Sequence, residues 1–485
     1  MLFNSLEFLF FLAVVFALYF LLPPRFRWIL LLIASYCFYA SWKAEYALLL
    51  AVITLVIYIT AIMMEKSRRD SERKRYLWIS VIGNLGILFV FKYFGLFNET
   101  VRAVFSALHI PNSIPELRLL LPVGISFYTF QALSYTIDVY RGKRPAEKHL
   151  GILAVYVSFF PQVLAGPIER STQLLPQFRQ NQIFQWNDFK SGFLLMLWGY
   201  YQKVVIADRL SIYVNQIYSR PAEFHGAHLL IGTLFFPMQL YCDFAGYSNI
   251  AIGIAQMLGF KLMKNFDRPF TSGSIRDFVL RWHISLTRWI MDYVYFPLAK
   301  KATKPVHGHL LVVLVMVLIW LWHGASWNFV LAGISLGLVL VQFDIRRKRK
   351  GQNAAPSFSL PGRWRWIYTV WRTLRFYLLA AFVWGIVFRS GSIANALLIW
   401  GNLFRDVKFS RAEMQMKNFS SYELVIASCA IIVLQIVEWL DDRYQFFAGF
   451  RQKSLWLQYV AVLALLFCIL MLGEFNRQPF IYFQF

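Results

Sequence analysis

An all-α integral membrane protein that crosses the bilayer many times is the fold class this sequence predicts, and three observations predict it. Hydrophobic residues make up 58% of the chain and charged residues only 15%, where soluble domains carry about a quarter charged. Apolar stretches recur along all 485 residues, several of them near the roughly 20 residues needed to span a hydrocarbon core. The basic residues behind the net charge of +24 gather in short loops between those stretches, which is the positive-inside distribution. That placement accounts for the charge at a lipid surface and argues against a nucleic-acid partner. Mean hydropathy is +0.51.

Taken in order, Phe8 to Leu22 reads as a retained first span, because it lacks the basic start and small-residue cleavage site of a signal peptide. Pro23-Pro24 ends it. Further spans are expected at Trp28 to Trp42, Tyr46 to Met64, Leu77 to Phe97 and Leu119 to Val139. The loop Glu65 to Tyr76 holds six Lys/Arg against three acids, and Arg141 to His149 holds four against one. Both are therefore expected on the cytoplasmic side, and the balanced stretch Asn98 to Arg118 outside. Counting spans places both termini outside.

From Leu150 the pattern is harder to divide. Apolar pieces at Leu150 to Leu164, Phe193 to Ala207 and Leu230 to Phe260 alternate with segments rich in Pro, Gly and aromatics. Irregular backbone at membrane depth survives only where protein buries it or it lines a cavity, so re-entrant segments are expected here. Late spans come at Phe376 to Phe388, Leu424 to Leu440 and Leu455 to Leu472. One membrane-embedded domain results, with N-terminal spans over 1–149, a core over 150–342 and C-terminal spans over 343–485.

The run Leu310 to Gln342 is 33 residues long, more than one crossing requires. Its centre, Trp322-His323-Gly324-Ala325-Ser326-Trp327-Asn328, is the polar break. Basic segments flank both ends, Lys261 to His309 and Asp344 to Lys350. The charge pattern therefore favours a chain that turns back at His323 over one tilted helix. An ionisable residue at membrane depth is a functional candidate; the alternative is a core histidine hydrogen-bonded to a neighbouring helix.

Three further clusters could carry chemistry. In Arg281-Trp282-His283-Ile284-Ser285-Leu286-Thr287-Arg288-Trp289, a continuous helix would put Arg281, Ser285 and Arg288 on one face. Such an amphipathic segment could simply lie at the inner surface, or its histidine and arginines could bind a phosphorylated ligand. Asp243 lies in Gln239 to Asn249, an apolar run with two glycines, where pairing to a nearby cation would suffice to explain it. The fourth cluster is Ser158 to Arg170. The eight histidines show no HExxH or Cys/His metal spacing, and the four cysteines stand singly in or beside apolar segments, so no metal site and no disulfide framework is expected. GxSxG and Walker A patterns are absent.

At these residues the chain resembles the membrane-bound O-acyltransferases, in particular the bacterial branch that contains the alginate O-acetyltransferase membrane subunit. The resemblance runs through MLFNSLEFLFF, LPVGISFYTFQALSYTIDVYRG, SFFPQVLAGPIER, YCDFAGYSNIAIG, RWHISLTRWIMDYVYFPL, LWHGASWNFVLAGISLG and the terminal FIYFQF. The sequence departs from the branch at Ala299-Lys300-Lys301-Ala302, where a glycine pair is common, and at Asn249, where an acid is usual. The resemblance implies about ten to twelve spans plus re-entrant segments around a central tunnel. It places the invariant histidine at His323 and the second motif histidine at His283.

The resemblance also implies an acetyl-CoA-dependent O-acetyltransferase of the bacterial inner membrane, with no tightly bound cofactor and a separate periplasmic transferase as partner. The acceptor would be an exopolysaccharide or cell-wall glycan. A neutral imidazole at His323 would take the proton of an alcohol as it attacks a thioester. His283 would support it, and Trp322 is a candidate for binding substrate or donor. From charge alone, Arg281 and Arg288 could engage coenzyme A phosphates and Asp243 could pair with one of them. The alternatives are D-alanyl transfer to teichoic acid from a carrier protein, and a transporter or flippase with His323 as proton relay.

Overall fold

The computed structural model describes residues 1–111, 115, 119–272, 274–349, 362–409, 416–444, 447, 449, 453–475 and 480–483. Parts of several expectations lie outside the described residues: most of the end of the outer stretch Asn98 to Arg118, Gly273 of the segment Lys261 to His309, Lys350 of the basic run, and the last two residues of FIYFQF. Among the described residues the regular elements are helical, and seven helices are long and apolar enough to cross a membrane, with Leu6–Leu21 a shorter apolar one. The chain is an all-α, multi-pass membrane protein that divides into two units.

The first unit comprises Met1–Tyr200 and Tyr247–Lys264. It contains α1 (Leu6–Leu21), α2 (Pro24–Ala40), α3 (Ala44–Lys66), α4 (Asp70–Leu88), α5 (Phe94–Ala107), α6 (Ile125–Tyr140), α7 (Leu150–Ser158), α8 (Ser171–Leu174) and α9 (Trp186–Tyr200). Ser5 caps α1 by accepting the Phe8 N–H, and Pro24 starts α2 at a position where its missing N–H costs nothing. A π turn, Phe89–Tyr93, joins α4 to α5, making one 38-residue apolar helix from Asp70 to Ala107.

Two boundaries differ from expectation here. The span drawn to Phe97 continues to Ala107, because nothing in Asn98 to Ala107 breaks a helix. The span drawn from Leu119 starts only at Ile125, behind Pro122 and a left-handed Gly124. A Cβ on Gly124 would lie 2.3 Å from the Val163 carbonyl oxygen, so the turn admits glycine alone. Along α6, Thr129, Gln131, Ser134, Thr136 and Asp138 are all buried, so this helix packs inside protein and does not present an apolar face to lipid.

The second unit comprises Tyr201–Gly246 and Asn265–Phe483. Its elements are α10 (Asp208–Ser219), the first two-thirds of α11 (Ala227–Met257), α12 (Ile275–Arg281), α13 (Ile284–Ile290), α14 (Phe296–Ala299), α15 (Pro305–His323), α16 (Trp327–Arg349), α17 (Gly362–Leu379), α18 (Ile386–Arg389), α19 (Ile393–Asn402), α20 (Ser421–Tyr444) and α21 (Leu455–Leu472). The 33-residue run is broken, in agreement with its flanking charges. It belongs to a hairpin that extends beyond both its ends.

Two glycines make the hairpin close. A Cβ on Gly333 would fall 2.6 Å from the Val317 Cα, and one on Gly337 2.7 Å from the Val313 Cα. Advancing four residues on α16 thus retreats four on α15, so the helices are antiparallel with touching backbones. The pairing of His309 with Asp344 at 4.0 Å sits at their shared basic end. At 1.5 Å per residue each arm reaches about 28–34 Å.

Candidate active site

His323 is the last residue of α15 and is 5% exposed. Gly324 comes next with extended backbone, and the Phe329 ring folds over it so closely that a Cβ would sit 2.1 Å from a ring carbon. Glycine is thus required by side-chain crowding and not by dihedral freedom. The His323 ring packs on Trp322, Phe388 and Tyr482 at centroid distances of 5.1, 5.5 and 5.2 Å.

His283 stands between α12 and α13 in left-handed conformation, φ 44°, a region costing a residue with a Cβ about 1–2 kcal/mol. What holds it is Asn265. The Asn265 carbonyl accepts the Ile284 N–H at 2.7 Å, while its side-chain oxygen Oδ1 lies 3.0 Å from His283 Nδ1 and accepts the Ser285 hydroxyl at 2.9 Å. The His283 ring is 1% exposed, edge-on to Phe244 at 4.6 Å and to Trp322 at 4.9 Å.

Trp322 therefore touches both histidines, 40 positions apart in sequence. Both line one cavity of about 120 Å³ whose other walls are apolar apart from Thr287, among them Phe236, Leu240, Leu286, Met316 and Trp320. A small carbonyl group fits beside two imidazoles there, among largely apolar side chains. Among the described residues no group of three or more His, Cys, Asp or Glu side chains could hold a metal ion.

The remaining candidates separate. The helix expected for Arg281, Ser285 and Arg288 is interrupted at Trp282-His283, so the three do not share a face: Ser285 is buried, Arg288 exposed, and Arg281 donates to Asp277 at 2.9 Å. Asp243 pairs with neither arginine. Its partner is Lys203 at 2.6 Å, which also meets Asp208 at 2.8 Å, all three being at least 95% buried. The correction has a simple cause, since a lysine lodged in the apolar piece Phe193 to Ala207 has nowhere to go but to carboxylates.

Three residues escaped the sequence reading. Lys203 could have been found as the lone charge of that apolar piece. Tyr482 packs on His323 and Trp322 because Asp243 accepts the backbone N–H of Ile481 at 2.7 Å, anchoring the C-terminal turn. No local signal marks Tyr482 or Asn265, whose partners lie far off in the chain.

Residues 149–374 match the model of the membrane-bound O-acyltransferase family, MBOAT. The chain is 33% identical to the probable alginate O-acetylase AlgI of Azotobacter vinelandii over 438 residues, covering 90% of this chain and 84% of that one. It is 30% identical to the peptidoglycan O-acetyltransferase of Helicobacter pylori, covering 82% and 79% of the two chains. Identity to the teichoic acid D-alanyltransferase of Bacillus subtilis is 27%, over 56% of this chain and 70% of that one. With this extent of identity and two buried histidines on one apolar cavity, the chain is an O-acyltransferase and belongs to the membrane-bound O-acyltransferase family.

Proposed function

We propose that the protein takes acetyl from acetyl-CoA on the cytoplasmic side of the bacterial inner membrane and passes it outward for O-acetylation of a polysaccharide, either an alginate-like exopolysaccharide or a cell-wall glycan. The whole chain acts as one catalytic domain, and a periplasmic transferase completes delivery. The names of the A. vinelandii and H. pylori relatives support the reaction class. The observation that carries the reading is the placement of His323 and His283 on either side of Trp322 at a shared, largely apolar cavity.

In this reading His323 accepts the proton of an attacking hydroxyl as the new C–O bond forms at the thioester carbonyl. The C–S bond then breaks and the proton leaves with the coenzyme A thiol. His283 is the second imidazole at the reacting group. The apolar walls, Trp320 and Met316 among them, keep water from hydrolysing the thioester, and Trp322 packs against both imidazoles. The donor reaches the cavity through a tunnel from the cytoplasm. Its phosphates meet Arg288 at the exposed face of α13, with Arg281 steadied by Asp277 nearby. Asp243 acts only through Lys203 and Ile481.

The D-alanyl reading is kept in view by the B. subtilis relative. Purified protein in nanodiscs, offered acetyl-labelled coenzyme A or a D-alanyl carrier-protein thioester, separates the two. Acetyl turnover that is lost in His323→Ala is expected; turnover of the carrier thioester alone overturns the donor. A His323→Ala protein that accumulates normally yet supports full glycan O-acetylation in cells overturns the reading.

A further inference from the structure

Two histidines share the cavity, and the polar frame behind one of them decides what it can do. Asn265 Oδ1 sits 2.9 Å from the Ser285 hydroxyl and 3.4 Å from the Ser285 backbone nitrogen. A backbone N–H can only donate, so the atom facing it is the amide oxygen; a flipped amide would set N–H against N–H. That same oxygen lies 3.0 Å from His283 Nδ1. An oxygen acceptor requires a protonated Nδ1, and in a neutral imidazole the lone pair is then on Nε2. The competing arrangement, with the Ser285 hydroxyl donating to Nδ1, spans 3.5 Å and loses to the shorter bond.

The frame is rigid because backbone builds it. Asn265 O accepts from Ile284 N at 2.7 Å and Arg281 O accepts from Asp267 N at 3.0 Å, so the segment after α11 brackets the left-handed residue from both sides. His283 cannot rotate its ring without abandoning Asn265 or colliding with Phe244 and Trp322.

We infer that Asn265 is a positioning residue that locks His283 in the Nδ1–H tautomer, so that His283 offers the cavity a hydrogen-bond acceptor and no donor. The inference rests on the reading that acyl transfer happens in this cavity, and it narrows the part His283 plays there. An Nε2 lone pair holds a hydroxyl; it cannot polarise a thioester carbonyl, which needs a donor. His283 therefore serves the acyl acceptor, and carbonyl polarisation falls to another group.

The direct test is nitrogen NMR of the full-length protein in nanodiscs with isotope-labelled histidine, the His283 signals assigned by their loss in His283→Gln. A protonated Nδ1 with a bare Nε2 is expected in the unsubstituted protein; the opposite tautomer overturns the inference whatever the variants do. Asn265→Leu should lower kcat by at least ~100-fold while the KM for acetyl-CoA stays within about threefold. Asn265→Asp, which keeps an acceptor oxygen, should recover at least about tenfold of that loss. Should Asn265→Leu fail to fold, the tautomer and the ratio of Asn265→Asp to Asn265→Ala decide; equal kcat in the last two overturns the inference. Full kcat in His283→Gln would instead remove the shared-cavity reading while leaving the tautomer standing, so the two failures are distinguishable.

Discussion

Two helix breaks, one ending in His323 and one centred on His283, deliver the same side chain to the same cavity by opposite means. At His323 the break is local: a glycine in extended conformation lets the Phe329 ring close over the backbone, and the chain reverses into a second helix. At His283 the residue itself adopts the strained left-handed conformation, and the strain is held by Asn265, 18 positions earlier. A break written in local residues tolerates change around it. A break imposed from a distance depends on the few hydrogen bonds that reach it from Asn265 and Asp267, and backbone strain of this kind persists only where the surroundings over-determine it.

The largest expected effect concerns the support behind the first break. Lys203 lies between Asp208 and Asp243, and Asp243 anchors Ile481, which seats Tyr482 against His323. Lys203→Met removes the cation that pairs with two buried carboxylates, a loss of about 3–5 kcal/mol. Chemical unfolding in detergent measures it; a loss below about 1 kcal/mol would mean that the C-terminal turn does not depend on the ion cluster.

Next comes the hairpin. Gly333→Leu drives a side chain into the Val317 backbone, which cannot give way as a flexible side chain could. It should cost about 1–3 kcal/mol and lower activity by displacing His323, whereas Gly308→Leu, where nothing lies within 4 Å of the added Cβ, should cost no stability and leave activity unchanged.

A smaller effect probes the second break. His283→Asn and His283→Ala should both lose activity, but Asn tolerates left-handed backbone, so the Asn variant should be more stable by about 1 kcal/mol. Equal melting temperatures would show that the φ of 44° stores no strain.

The same contrast separates what was legible in the residues from what was not. The helical membrane fold could be read from long apolar runs and loop charge, and the reversal at His323 from a run too long for one crossing with basic residues at both ends. Residue types sufficed because bilayer thickness and backbone satisfaction act on every such chain. The interruption at His283 was not legible. Arg281 to Trp289 has neither glycine nor proline, so periodicity alone reads it as one helix, and the deciding hydrogen bonds come from Asn265. Likewise Asp243 announced a cation without saying which, because Lys203 and Asp243 are 40 positions apart. The start of α6 was misjudged because Leu119 to Val123 is apolar and reads as part of the span, whereas Pro122 and the left-handed Gly124 keep it outside the helix.

The central claim is that His283 and His323 work as one unit around Trp322, and a double-mutant cycle on acetyl turnover tests it most directly. Each single alanine variant should lower kcat by about 10²–10⁴-fold, and the double variant should fall no more than about threefold below the worse single, as expected for groups that act together. Losses that multiply would mean that the two histidines serve separate steps, and would contradict a shared site.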